Sequence, residues 1–279
     1  MVLFHVKRGD KDEFLYAASC DTSNDVLVRA LCRVNNARLR LVALADALAG
    51  LGQHGVAKLP NEQGLDEFQE PKERGEFYEA DPLGQRTGEG VSPQLREVLS
   101  RVAEDARQYA TGKQMMARRE PTDEEALKEK LLNIQGAVMM AFPMGLPNHD
   151  PVKRLLDEVD PEAALGDSSA ALEVASETSA ELWWAGKQFF RDQLVSDLVG
   201  KNDKTKVIVK LQRKGGGMPG REPAVSEAER QAMMQFYFKK QEELKAAADD
   251  DAEDYMGSNW ADPRALQNTL RGTQNIRPF

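Results

Sequence analysis

The segment VLFHVKRGDKDEFLYAA (residues 2–18) decides the fold. Residues 2–8 and 13–18 are apolar-rich runs, and Arg8-Gly9-Asp10-Lys11 between them is a turn-like cluster, so the segment predicts a β-hairpin. Helical spacing follows. Asp25 precedes Val26, Leu27, Leu31 and Val34, and a second stripe at Leu41, Leu44, Ala45, Leu48 and Leu51 ends at Gly50 and Gly52.

A hairpin followed by a helix resembles the opening of a β-grasp (ubiquitin-like) domain, a fold that needs a further strand beside the first. The candidate is remote: KVIVKL (206–211) is the only other strong strand. Pairing it with residues 2–8 makes the intervening helices a long insertion and puts both ends of the chain in one core.

Composition agrees with a helical majority. The chain has 279 residues, 37 Lys plus Arg against 46 Asp plus Glu, and a net charge of −9. Leu, Ile, Val and Phe make up 61 of the 279 residues, just above the level of about 20% at which disorder sets in. With only 3 Ile among them, a large β-sandwich or parallel α/β sheet is disfavoured. The predicted class is α+β, mostly helical, with a small N-terminal sheet completed by residues 206–212 and a helical bundle inserted. The longest uncharged stretch, Leu131 to His149, contains Asn133, Gln135, Pro143 and Pro147, so no membrane-spanning helix is expected. Lys7, Arg8 and Asp10 interrupt any signal-peptide core. Cys20 and Cys32 are too few for a disulfide framework, which favours a reducing compartment.

The organisation reads as five parts: residues 1–60, hairpin and helices; 61–90, an acidic linker; 91–200, helical; 201–246, a basic strand, glycine-rich loop and long helix; 247–279, an acidic run and polar tail. Residues 61–90 hold 9 acidic and 3 basic side chains. Ser92-Pro93 predicts a helix start, and Thr122 to Glu125 a capping box. Phe142-Pro143 ends that helix. A third long helix is expected from Leu172, Ala175, Ser179, Leu182, Gly186 and Phe189, flanked by Trp183 and Phe190. Ser226 to Glu229 is a second capping box, opening a helix with Met233, Met234, Phe236 and Tyr237. That helix should fray in the acidic run Asp249 to Asp254. The final 25 residues, with Trp260 and Phe279, read as a tail that orders on a partner or on the body.

The sequence carries no convincing active-site pattern, and no catalytic, cofactor-binding or metal-binding residue is expected. Gly215-x-Gly217-x-x-Gly220 matches the dinucleotide fingerprint formally, but Pro219 and Pro223 keep a helix from starting inside it. Lys201 to Thr205 lacks P-loop spacing. His5, His54 and His149 are scattered, and Asp150 reads better as the cap of a short helix at Pro151 than as the orienter of His149. Residues 201–223 carry 7 basic and 2 acidic side chains, yet the segment lacks stacking aromatics, so a protein surface is preferred to nucleic acid. Adjacent residues on a helix point about 100° apart, so Trp183 is expected in the core and Trp184 at an interface. Trp184, Phe236, Tyr237 and Trp260 are the candidate partner-binding residues.

Several stretches together resemble a known family: MVLFHVKRGD at the start, GAVMMAFPMGLPNHDP (136–151), ELWWAGK (181–187), VGKNDKTKVIVKLQ (199–212), REPAVSEAERQAMMQFYFKKQEELK (221–245) and NWAD (259–262). They resemble, in order and spacing, the Kurly family of cilia- and flagella-associated proteins. Residues 61–90 and the last dozen positions depart from its pattern. The resemblance implies a non-enzymatic protein of motile cilia, needed for assembly of axonemal dynein arms and for beating, in cytoplasm, cilium or flagellum and basal body. Expected partners are axonemal dynein components or dynein-assembly factors, or else microtubule-bound axonemal complexes, with no nucleic acid, membrane or cofactor. The alternative is a stable structural component of the axoneme.

Overall fold

A computed structural model describes residues 1–8, 11–63, 75–166, 168–220 and 227–257, with Arg264 and Gln267. It forms two units, residues 1–220 and 221–279.

In the first unit, β1 (Val2–Arg8) and β2 (Lys11–Ala18) form the expected antiparallel hairpin, with Phe4 opposite Tyr16 and Val6 opposite Phe14. α1 (Asn24–His54) follows, its first turn held by the Ser23 hydroxyl, which accepts from the Val26 amide at 3.4 Å. β5 (Lys206–Arg213) lies parallel to β1, pairing Leu3 with Lys206 and Lys7 with Lys210. Beyond it lie β3 (Ala180–Trp184) and β4 (Lys187–Gln188), giving the order β2-β1-β5-β3-β4. Hairpin, helix and a last strand slotted between hairpin and β3 are the β-grasp arrangement. Between α1 and β3 are inserted α2 (Pro93–Thr111), α3 (Lys113–Arg118), α4 (Glu124–Ala141), α5 (Pro151–Asp157), α6 (Pro161–Leu165) and a 3-10 turn at Ser169–Glu173. α7 (Val195–Val199) precedes β5.

Alternation puts Val2, Phe4, Val6 and Phe14 on one sheet face with Leu182, Val207, Val209 and Leu211. These join one core with Leu27, Leu31, Val34, Leu41, Leu44, Leu48 and Leu51 of α1. Phe4 and Phe189 meet edge-on, with ring centroids 6.5 Å apart. Leu99, Ala103 and Ala106 of α2 and Leu127, Ile134 and Val138 of α4 extend the core into the insertion.

Several expectations are corrected. The two stripes on either side of residue 40 belong to one helix, α1, which passes through Gly50 and Gly52 and ends at Gly55. Gly55 has φ +74°, and a Cβ there would lie 2.1 Å from the Glu89 carbonyl, so only glycine fits. The helix expected over 172–190 does not form. Ala180, Leu182 and Trp184 instead point to one face of a strand, and Ala185 (φ 47°) and Gly186 (φ 82°) supply the paired positive φ of a two-residue hairpin loop. The cap of α4 is Asp123, whose carboxylate accepts from the Glu125 amide, while Thr122 is buried.

The second unit contains α8 (Glu227–Gly257), which continues through the acidic run without fraying. Alanines 246–248, strong helix formers, lead into that run and Ala252 interrupts it. Ser226, the expected cap of α8, lies outside the described residues.

Candidate functional site

The His149–Asp150 pair sits at a structural joint. Asp150 is fully buried: one carboxylate oxygen accepts from the Val152 amide at 2.8 Å and caps α5, the other from the Ala57 amide at 2.9 Å. Arg86 approaches that second oxygen at 3.5 Å and donates to the Gly55 carbonyl at 2.7 Å. His149, exposed on its other side, turns Nε2 to the Ala57 carbonyl oxygen at 2.9 Å, so that ring nitrogen is committed to the same joint and Asp150 is not placed as its orienter. Cys20 and Cys32 are free and buried, and burial pushes the Cys32 thiol up to about 12, far from the thiolate a nucleophile needs. In the glycine-rich loop, Gly215 and Gly217 have positive φ, and among the described residues no helix starts inside residues 215–220, as a phosphate-binding turn would need. Among the described residues, no group of three or more His, Cys, Asp and Glu is placed to hold a metal ion. No described helix is long and apolar enough to cross a membrane.

A buried cation was missed by the sequence reading. Arg38, on α1, donates through Nε to the Ala110 carbonyl at 2.7 Å and through Nη1 and Nη2 to Glu13 at 3.3 Å, and it lies 4.8 Å from the Phe14 ring centroid. It thereby ties β2 and the end of α2 to α1. The signal was its place on the apolar stripe, four residues after Val34 and three before Leu41. Asn36, also buried, exchanges 2.9 Å hydrogen bonds with the carbonyl and amide of Ala175, standing in for a strand neighbour. Arg191 donates to Asp25 at 2.7 Å and to the carbonyls of Glu177 and Ala180, fastening the start of β3 to the start of α1. These hydrogen bonds hold Asp25, with Arg191 the larger influence and Arg29 the second, below the usual carboxylate range.

The candidate interaction residues are placed separately. The expected division of the tryptophan pair is reversed, because the segment is a strand and not a helix: Trp184 is half-buried and packs against the core beside Leu182, whereas Trp183 lies on the other sheet face, its indole N–H donating to Glu181 at 3.3 Å. Phe236 and Tyr237 stand on α8, 67% and 76% exposed, in a run with Met233, Met234 and Phe238, all exposed. At 100° per residue this run spreads over about 200° of the helix surface, with Met233, Tyr237 and Leu244 in line. Exposed apolar surface of that kind, with polarizable methionine and rigid aromatics side by side, is suited to binding protein. Trp260 lies outside the described residues.

Comparison with known proteins reaches the same segment and then the whole chain. A family profile described as "Cilia- and flagella-associated protein 298" matches residues 180–276, which include β3, β5 and all of α8. Curated relatives of that name match end to end: one from Danio rerio is 38% identical over 290 residues, covering 99% of each chain. One from Homo sapiens is 37% identical with the same coverage, and one from Drosophila melanogaster 34% identical, covering 99% of this chain and 98% of its own. No solved structure matches. Identity of this level across the entire length leaves one assignment: the chain belongs to the cilia- and flagella-associated protein 298 family.

Proposed function

We propose that this protein is a non-enzymatic factor of motile cilia that acts, through protein–protein contacts, in the assembly of axonemal dynein arms. The observation that carries this reading is the exposed aromatic and methionine run of α8, lying wholly within the segment matched by the ciliary family profile. Phe236 and Tyr237 are its central contacts and Trp260 a further one, while Trp184 can offer a partner only the edge that its packing on the core leaves uncovered. Its partners are axonemal dynein components or the factors that assemble them, met in the cytoplasm and at the basal body, with delivery to the cilium. The relatives' names support the ciliary setting, and the joints described above account for the conspicuous polar residues without invoking a reaction.

Fractionation of ciliated cells is the test. The protein is expected in the soluble fraction, co-purifying with dynein heavy chains in wild type and losing them in a Phe236→Ala/Tyr237→Ala variant. Fixed stoichiometry on demembranated axonemes, with none in the soluble fraction, would instead make it a structural component.

A further inference from the structure

Leu39, Val42, Ala43 and Ala47 fall on one face of α1, half-buried, and form the floor of a groove of about 780 Å³. At 1.5 Å per residue the floor runs for about 12 Å, two turns of helix. The junction of α2 and α3 makes one wall; Leu155 of α5 and Leu165 of α6 make the other. Ala43 and Ala47 set no bulky side chain between the floor and an incoming backbone, and interaxial distance depends on such residues.

Charge identifies what the groove would take. Its acids are already engaged: Glu13 by Arg38, Asp46 by Arg107 and Glu173 by Arg8. Lys113 and Arg154, on opposite walls, have no carboxylate partner among the described residues. The Arg154 guanidinium rests against Gly166, whose φ of +56° ends α6. Two cations facing each other across an open apolar trough match carboxylates on both flanks of a helix better than the single head group of a lipid.

We infer that this groove seats an amphipathic helix of a protein partner, apolar on the buried face and acidic on both flanks. The site belongs to the β-grasp body and its insertion, and does not rest on the reading of α8.

The probe is a fluorescein-labelled stapled helix of about 14 residues with leucines at i, i+3, i+4 and i+7, carrying glutamates on both flanks, titrated into the full chain by anisotropy. It should bind about tenfold more tightly than the same peptide with lysines on the flanks. Lys113→Glu/Arg154→Glu should invert that preference, and Ala43→Trp should abolish binding of both peptides while the melting temperature stays within a few degrees. Equal affinity of the two peptides for the wild-type chain overturns the inference, whatever the variants do. So does binding that survives Ala43→Trp, displacement by dodecanoate, which would mark a lipid site, or a dimer that Ala43→Trp dissociates, which would mark a second copy.

Discussion

α1 and α8 are each 31 residues long, yet they distribute their apolar residues differently. In α1 the leucines and valines recur every three or four residues from Leu27 to Leu51, forming one continuous stripe that is buried along its length. In α8 the large apolar residues are concentrated in the six positions from Met233 to Phe238, with only Leu244, Tyr255 and Met256 beyond them, and the cluster faces several directions at once. A stripe can be covered by one sheet; a cluster that turns round the helix cannot. α1 is therefore the spine of a core, whereas the apolar cluster of α8 is exposed within its own unit.

The strongest way to break this contrast is through Arg38, the one cation inside the buried stripe. Arg38→Ala should cost about 3–5 kcal/mol in urea unfolding because it strands Glu13 and the Ala110 carbonyl. Adding Glu13→Gln should recover part of that loss, and no recovery would mean that packing on Phe14 dominates.

Leu44→Ala, fully buried on α1, should cost about 2–5 kcal/mol. A much smaller loss would show that the stripe is less tightly covered than its burial indicates.

Acid titration gives a smaller effect. The Asp25 carboxyl is lower in the folded chain than its unfolded value of about 3.9, so the folded state binds its proton less readily than the unfolded state does. Its contribution is present above about pH 4 and is lost as pH falls through the folded value. Asp25→Asn should flatten the acid limb of the stability curve; an unchanged limb would assign it to the other lowered carboxylates, Glu79, Asp81, Glu124 and Asp203.

The smallest stability effect belongs to α8. Phe236→Ala should change stability by no more than about 0.5 kcal/mol, since the ring is exposed. A loss comparable to that of Leu44→Ala would erase the distinction between the two helices.

The sheet was legible because its signals are local. Alternation in residues 2–18 and the β-branched run at Lys206–Leu211 can be read without knowing what they touch, and they pair as expected. The segment around Trp183 was misread because spacings of three and four residues between Ala175 and Phe189 imitate a helix, while Ala185-Gly186 carried the contrary signal. The aromatic run of α8 was visible as composition, but its exposure was not, because exposure depends on what the rest of the chain covers. The Lys113 and Arg154 walls were invisible for a related reason: they lie about 40 residues apart and line one groove only once α2 and β2 hold α3, and α1 holds α5, beside it.

The pairing of β1 with β5 also sets a schedule for synthesis. Leu3 waits for Lys206, about 200 residues later, and at 5–20 residues per second that wait is about 10–40 s. Until then the hairpin lacks its central neighbour, and Phe4, Val6 and Phe14 cannot complete the face they share with Val207 and Val209. A nascent chain of this design passes through a long interval with an open β-edge and an uncovered apolar face, the kind of intermediate that chaperones hold.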